Sequence, residues 1–281
     1  MRHPTIWGEL KLKKQKLILK RVSQKERIAR LTLNRPEKKN AINQALMDEL
    51  LGALYEIRDN RDIRCIIISG AGDTFCSGMD LHELGRTRSK TPQRWDQSDL
   101  RELLSLLRSC PQITIAAVQG YCLGGGLVLV NGCELAIAAE DAKLGMPEII
   151  RGSYGAVATP TLFQSGIPAK IAFRVQLTGT NLSGLEAAQV GLVSHVVPNA
   201  VLNKSVNALG KEIASRHPAA LEHAKLSAQA AMDSPFDISL RTDEYLSHRL
   251  RTYADPTGHV SGYLKSQKGG GRMDYVKPDS V

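Results

Sequence analysis

A chain of 281 residues can bury a sizeable core as one large domain, or as one domain with an appendage. Its 42% hydrophobic and 23% charged content is ordinary for a globular protein, and no apolar run approaches the roughly eighteen residues of a membrane-spanning helix. The formal net charge of +9 suits anionic partners. Much of the excess lies in Lys11, Lys13, Lys14, Lys16, Lys20 and Arg21, and terminal charge runs are usually solvated.

In chain order, residues 1–16 alternate charge with single apolar residues and lack the apolar block of a signal peptide. They read as a basic arm whose composition would also suit a poor transit peptide, and the expected location is the cytoplasm. Leu17 to Val22 and Ile28 to Leu33 read as a hairpin around Ser23-Gln24-Lys25-Glu26, and Asn34-Arg35-Pro36 breaks the second strand. From Asn43, Leu46, Leu50, Leu54 and Ile57 recur at helical spacing. Cys65 to Ile68 is an unbroken apolar run, a strand buried on both faces, which Gly70-Ala71-Gly72-Asp73 ends. Residues 85–98 are polar without periodicity and read as a loop; Leu100 to Leu107 is an apolar-faced helix and Thr114 to Val118 another buried strand. A short helix after Gly124-Gly125-Gly126 leads to the strand Leu135 to Ala138. This alternation predicts an α/β fold with parallel strands. Helical signals then dominate at Ile171 to Leu177, Leu185 to Val190, Val201 to Ile213 and Ala219 to Met232. The five cysteines are odd in number, mostly in apolar segments and never in C-x-x-C spacing, so buried reduced thiols are expected and a metal site is not.

Three segments carry candidate chemistry. In Phe75-Cys76-Ser77-Gly78-Met79-Asp80-Leu81, Asp80 suits a helix N-cap and Gly78 lets the backbone turn so that the next N–H faces a cavity. In Gly120-Tyr121-Cys122-Leu123-Gly124-Gly125-Gly126, a glycine-rich strand-to-helix turn can bind phosphate, allow close packing or form an anion hole. In Met146-Pro147-Glu148-Ile149, a carboxylate lies among apolar neighbours, where most isolated glutamates would be solvated surface residues.

Taken in order, Leu33-Asn34-Arg35-Pro36-Glu37-Lys38-Lys39-Asn40-Ala41, the Phe75–Leu81 segment, Gly124-Gly125-Gly126 and Pro147-Glu148 resemble the crotonase (enoyl-CoA hydratase/isomerase) superfamily. Leu177-Thr178-Gly179, Ala187-Ala188 and Gly191-Leu192-Val193 extend the resemblance, which runs from about Leu17 to Lys268. It implies a crotonase-like spiral of ββα units over residues 17–215 and a C-terminal helical trimerisation region over 216–281, with a homotrimer or hexamer as the assembly. The implied partner is an acyl-CoA thioester, with coenzyme A as part of the substrate and no separate cofactor. By motif position its carbonyl would lie between the backbone N–H groups of Met79 and Gly125, with Glu148 as general acid/base. Arg35, Lys38, Lys39, Lys265 and Lys268 are the implied contacts to the CoA phosphates, with Asp80 and Leu81 beside the substrate.

Hydratases of the family carry a first glutamate two residues after the glycine triplet, where this chain has Val128. Valine neither accepts a proton nor orients water, so the resemblance points to single-base proton transfer of the enoyl-CoA isomerase kind. One alternative is hydration by Glu148 with a non-carboxylate partner; Asn131, Ser153, Tyr154 and His82 are the polar groups at hand, Tyr154 being the one placed near catalysis. Another is an RNA-binding or catalytically decayed relative, which the 5% aromatic content disfavours for a single-strand reader. Contiguous glycines argue against a Rossmann dehydrogenase, and the lack of G-x-S-x-G against an α/β-hydrolase.

Overall fold

The computed structural model describes residues 16–83 and 98–253. The expected hairpin is present. Strand β1 (Ile18–Ser23) pairs antiparallel with β2 (Ile28–Leu33), Ile18 opposite Leu33, with Arg27 in the left-handed region to close the turn. Helix α1 (Gln44–Arg58) starts at Asn43, whose side chain accepts the Leu46 N–H, and buries Leu46, Leu50, Leu54 and Ile57. The crossover returns the chain to β3 (Cys65–Gly70), parallel to β2, as a β-helix-β unit requires.

Helix α2 (Ser98–Ser109) precedes β4 (Ile113–Val118), which adds parallel to β3. After β5 (Tyr121–Leu123) come α3 (Gly125–Asn131), β6 (Leu135–Ala139) and β7 (Lys143–Gly145). Then follow α4 (Ala158–Gln164), α5 (Ala169–Thr178), β8 (Leu182–Ser183), α6 (Gly184–Gln189) and β9 (His195–Val197). The large sheet runs β1-β2-β3-β4-β6-β9 and is parallel from β2 onward, so β3 and β4 are apolar on both faces.

A second, smaller sheet, β5-β7-β8, was not legible in the periodicity because its strands are two or three residues long. Isolated bridges carry it further, joining Cys76 to Cys122 and Ile42 to Met79. Each turn of the chain thus gives one strand to the large sheet, a short one to this second layer, and then a helix. That is the ββα spiral.

Helix α7 (Leu202–Ala214) packs on β2, β3, β4 and β6. Helices α8 (Pro218–Asp233) and α9 (Phe236–Tyr253) pack together at the C-terminal end, leaving Met232, Phe236, Leu240 and Tyr245 exposed. Lys225 of α8 is buried, bonding Glu134 Oε1 (2.9 Å), Leu107 O (2.6 Å) and Gln112 O (3.0 Å), and so ties α8 to the core. All five cysteines are free thiols. Among the described residues no helix is long and apolar enough to cross a membrane, and no cluster of His, Cys, Asp or Glu could hold a metal ion. The arm (1–15), the loop expected at 85–98 up to residue 97, and Lys265 and Lys268 lie outside the described residues.

Candidate active site

The site is built where the second layer runs out of strand. Phe75 donates to Gln119 O and Cys76 to Tyr121 O, while Leu123 donates back to Cys76 O, so residues 75–78 run beside β5. On the far side Ser77 donates to Lys39 O, Ile42 to Gly78 O (2.8 Å) and Asp80 to Ile42 O (2.8 Å). The Met79 N–H has no acceptor among the described residues. Gly78 has φ +99°, and a Cβ there would lie 2.9 Å from Leu123 O and 3.5 Å from the Gly125 nitrogen. Only a glycine lets these two stretches of backbone come so close.

On the other stretch, Gly124 has φ +49° and ψ −111° and donates to Gly145 O (3.0 Å). The Gly125 N–H has no acceptor among the described residues, and a Cβ on Gly125 would sit 3.3 Å from Met79 Sδ. Two amides without acceptors thus lie side by side, Met79 on one segment and Gly125 on the next.

Glu148 arrives by the pairing of β5 with β7. Leu123 lies opposite Gly145, so the residues that follow each strand, Gly124 and Met146, leave the layer together. Pro147 starts a 3-10 turn (Pro147–Arg151) that ends at Gly152 in the left-handed region, with Glu148 in its first turn. A Cβ at position 124 would lie 2.2 Å from Glu148 Oε1; at position 155 it would lie 2.6 Å from Met146 Cε and 3.7 Å from Glu148 Cδ. Gly124 therefore clears the space that the carboxyl group occupies, and Gly155 makes room for the Met146 side chain beside it. Glu148 Oε2 is buried and has no hydrogen-bond partner among the described residues. A buried carboxylate oxygen without a partner is costly, and such groups concentrate where a proton must be exchanged.

The other candidates separate. Val128 is buried on α3, its N–H on Gly124 O (3.0 Å), and brings no polar atom. Asn131 reaches Thr161 Oγ1 at 3.4 Å, and its Oδ1 is buried without a partner among the described residues. Tyr154 is 64% exposed and Leu81 53% exposed; Ser153 and His82 are exposed too. Asp80 does cap the turn at 81–83, accepting the His82 N–H (3.1 Å). Lys38 and Lys39 are exposed, and Lys39 Nζ lies 5.0 Å from the Tyr121 ring centroid.

Arg35, expected at a phosphate, makes its contacts to the protein itself. Its guanidinium bonds Asp80 Oδ2 through both Nη1 and Nη2 (3.1 Å each) and Ala41 O through Nη1 (2.7 Å), with only 12% of either side chain exposed. Three of its five N–H donors are thus committed to partners within the chain. Burial opposes the Asp80 charge, but Arg35 and the His82 and Glu83 amides hold its carboxyl below the ordinary aspartate value. Asn40 is a further residue whose role the motif did not disclose. Fully buried, it accepts from Arg35 N and donates to Ala71 O and Thr74 O, knitting the Arg35 loop to the segment before Phe75.

Residues 23–265 match the family model described as enoyl-CoA hydratase/isomerase. The chain is 31% identical over 253 residues to the 2,3-dehydroadipyl-CoA hydratase of Escherichia coli, covering 88% of this chain and 95% of that one. It is 30% identical over 230 residues to the mitochondrial Delta(3,5)-Delta(2,4)-dienoyl-CoA isomerase of Rattus norvegicus, covering 78% and 70%. The crystal structure of an enoyl-CoA hydratase from Bacillus anthracis superposes with a TM-score of 0.81 at 26% identity, covering 94% of this chain and 100% of the other.

Proposed function

The chain belongs to the enoyl-CoA hydratase/isomerase family, and on that premise we propose that it binds an acyl-CoA thioester, holds the carbonyl oxygen as an enolate between the Met79 and Gly125 amides, and moves one proton with Glu148. The Glu148 carboxylate takes a proton from the carbon beside the thioester carbonyl, and the C–H electron pair passes into the carbonyl as the enolate forms. In a 3-enoyl thioester that enolate is conjugated. Returning the proton at the far end of the conjugated system gives the 2-enoyl isomer and regenerates the carboxylate. Each amide aimed at the enolate oxygen is worth roughly 3–4 kcal/mol of barrier. The chemistry needs no cofactor beyond the coenzyme A of the substrate.

The observation that carries the reading is Glu148 Oε2, buried without a partner beside the space opened by Gly124. The exposed Lys38 and Lys39, with Lys265 and Lys268, are the candidates for phosphate contact. The exposed apolar side chains of α8 and α9 support a trimer, single or paired, and the free thiols a cytoplasmic setting.

The test is Glu148→Gln. Turnover of 3-enoyl-CoA should fall by roughly 10²–10⁴, the usual worth of a positioned acid/base, while acyl-CoA binding stays within about threefold. Retention of most activity sinks the mechanism. Incubation in H₂¹⁸O discriminates the reaction type: isomerisation leaves the acyl chain unlabelled, and label at a new hydroxyl establishes hydration instead.

A further inference from the structure

Arg35 lies at the head of a line of peptide groups that ends where the amides of Met79 and Gly125 lie side by side. Its Nη1 donates to Ala41 O at 2.7 Å. That oxygen shares a planar trans peptide with the Ile42 N–H, which points the opposite way and donates to Gly78 O at 2.8 Å. Gly78 O in turn shares its peptide with the Met79 N–H, again directed oppositely and without an acceptor among the described residues. We propose that Arg35 is a positioning residue: its cation heads a relay of two peptides, Ala41–Ile42 and Gly78–Met79, that aims and polarises the Met79 amide at the enolate oxygen. This rests on the anion-hole reading above and deepens it.

The relay has two physical effects. The first is geometric. Fixing Gly78 O on the Ile42 N–H fixes the plane of the next N–H, and Asp80 N–H on Ile42 O pins the peptide on the other side of Met79. The second is electronic. Hydrogen bonds in series polarise one another by about 10–30% per bond, and the first donor here is a cation, the stronger kind. Asp80 accepts from both Nη atoms and so keeps the guanidinium on Ala41 O. Asn40 holds the turn from which Arg35 projects by accepting its backbone N–H at 2.9 Å. The low exposure of the pair keeps water from competing for these bonds.

The experiment reads the carbonyl itself. A saturated short-chain acyl-CoA, ¹³C-labelled at the thioester carbonyl, is bound to the native protein and to variants, and the C=O stretch is followed by difference infrared spectroscopy. Native protein should lower the frequency against free ligand, because donors in the hole polarise the bond. Arg35→Met combined with Asp80→Asn removes cation and carboxylate charge together, leaving no orphaned charge in the fold. It should lose most of the downshift and roughly tenfold to a hundredfold in kcat, with acyl-CoA Kd within about threefold. Asp80→Asn alone keeps an acceptor for the guanidinium and should retain at least half of the downshift. Arg35→Lys, able to donate to Ala41 O, should lie between.

An unchanged downshift in the double variant overturns the relay while leaving the hole in place. A rise in Kd with unchanged kcat also overturns it, by making Arg35 a phosphate ligand. A double variant that melts earlier but keeps native kcat and downshift leaves Arg35 a structural residue, against the proposal. Absence of any downshift in native protein takes down the anion-hole reading and the relay with it, whereas Glu148→Gln should keep the downshift in full.

Discussion

Gly124→Ala tests the site at its tightest point. The new Cβ would lie 2.2 Å from Glu148 Oε1, against an ordinary carbon–oxygen approach of about 3.3 Å, so carboxyl and backbone must part by about 1 Å. The carboxyl is the end of a flexible side chain and will move first, which relieves the clash and misplaces the base. A displacement of that size costs on the order of 10²-fold in rate. The backbone adds a separate term, because φ +49° with ψ −111° lies outside the regions that alanine occupies, a strain of roughly 1–3 kcal/mol. At about 2–4 °C per kcal/mol, Tm should fall by roughly 3–10 °C. Steady-state isomerisation of a 3-enoyl-CoA, followed by absorbance of the conjugated product, gives kcat, and calorimetry gives Tm. The expected result is a folded protein with kcat down about a hundredfold. A folded variant within threefold of native kcat would show that the Glu148 position beside Gly124 is not the catalytic one.

Two further outcomes concern stability. Lys225→Met leaves Glu134 Oε1 and two carbonyls without their buried cation, which should cost roughly 3–5 kcal/mol and lower Tm by about 10 °C; a fall below about 2 °C refutes the anchoring role of α8. Burial pushes the Cys65 and Cys76 thiols up to about 12, so the unfolded chain loses these protons near pH 8.5 while the folded one keeps them. Their contribution to stability is therefore whole below pH 8.5 and declines from there toward pH 12. Denaturant titrations at pH 8 and 9.5 should differ by roughly 2.5 kcal/mol from these two groups, and equal stabilities would contradict it.

What the residues alone disclosed follows from where the physics is local. Asn43 with its apolar period gives α1, and the runs Cys65–Ile68 and Thr114–Val118 give strands buried on both faces, because those signals reside within one element. The short strands β5, β7 and β8 carry no period, and their pairing is set by neighbours far along the chain. The motifs named Met79, Gly125 and Glu148, yet nothing in sequence places Glu148 Oε1 against Gly124. Arg35 shows the limit most plainly. A basic residue in a motif tied to phosphate contact reads as a phosphate ligand, and only the folded register of Ile42 on Met79 brings Asp80 and Ala41 O within its reach.

On the proposed mechanism a single carboxylate shifts weight onto the backbone. Adding water to a double bond requires that water be held and deprotonated as well as that the enolate be stabilised, and Val128, buried one turn into α3, supplies neither a donor nor an acceptor there. Moving a proton along a chain requires only one base and a stable enolate. In the proposed single-base scheme, the lifetime of the enolate between removal and return depends on the amides, since no second carboxylate shares the work. The Met79 amide follows a hydrogen-bonded line that begins at the half-buried Arg35 guanidinium, and the Gly125 amide follows a glycine turn that also makes room for the Glu148 carboxyl. On the proposed mechanism a strengthened hole compensates for a single acid/base group, so the loss of Arg35 should fall on kcat and leave binding of the substrate nearly untouched.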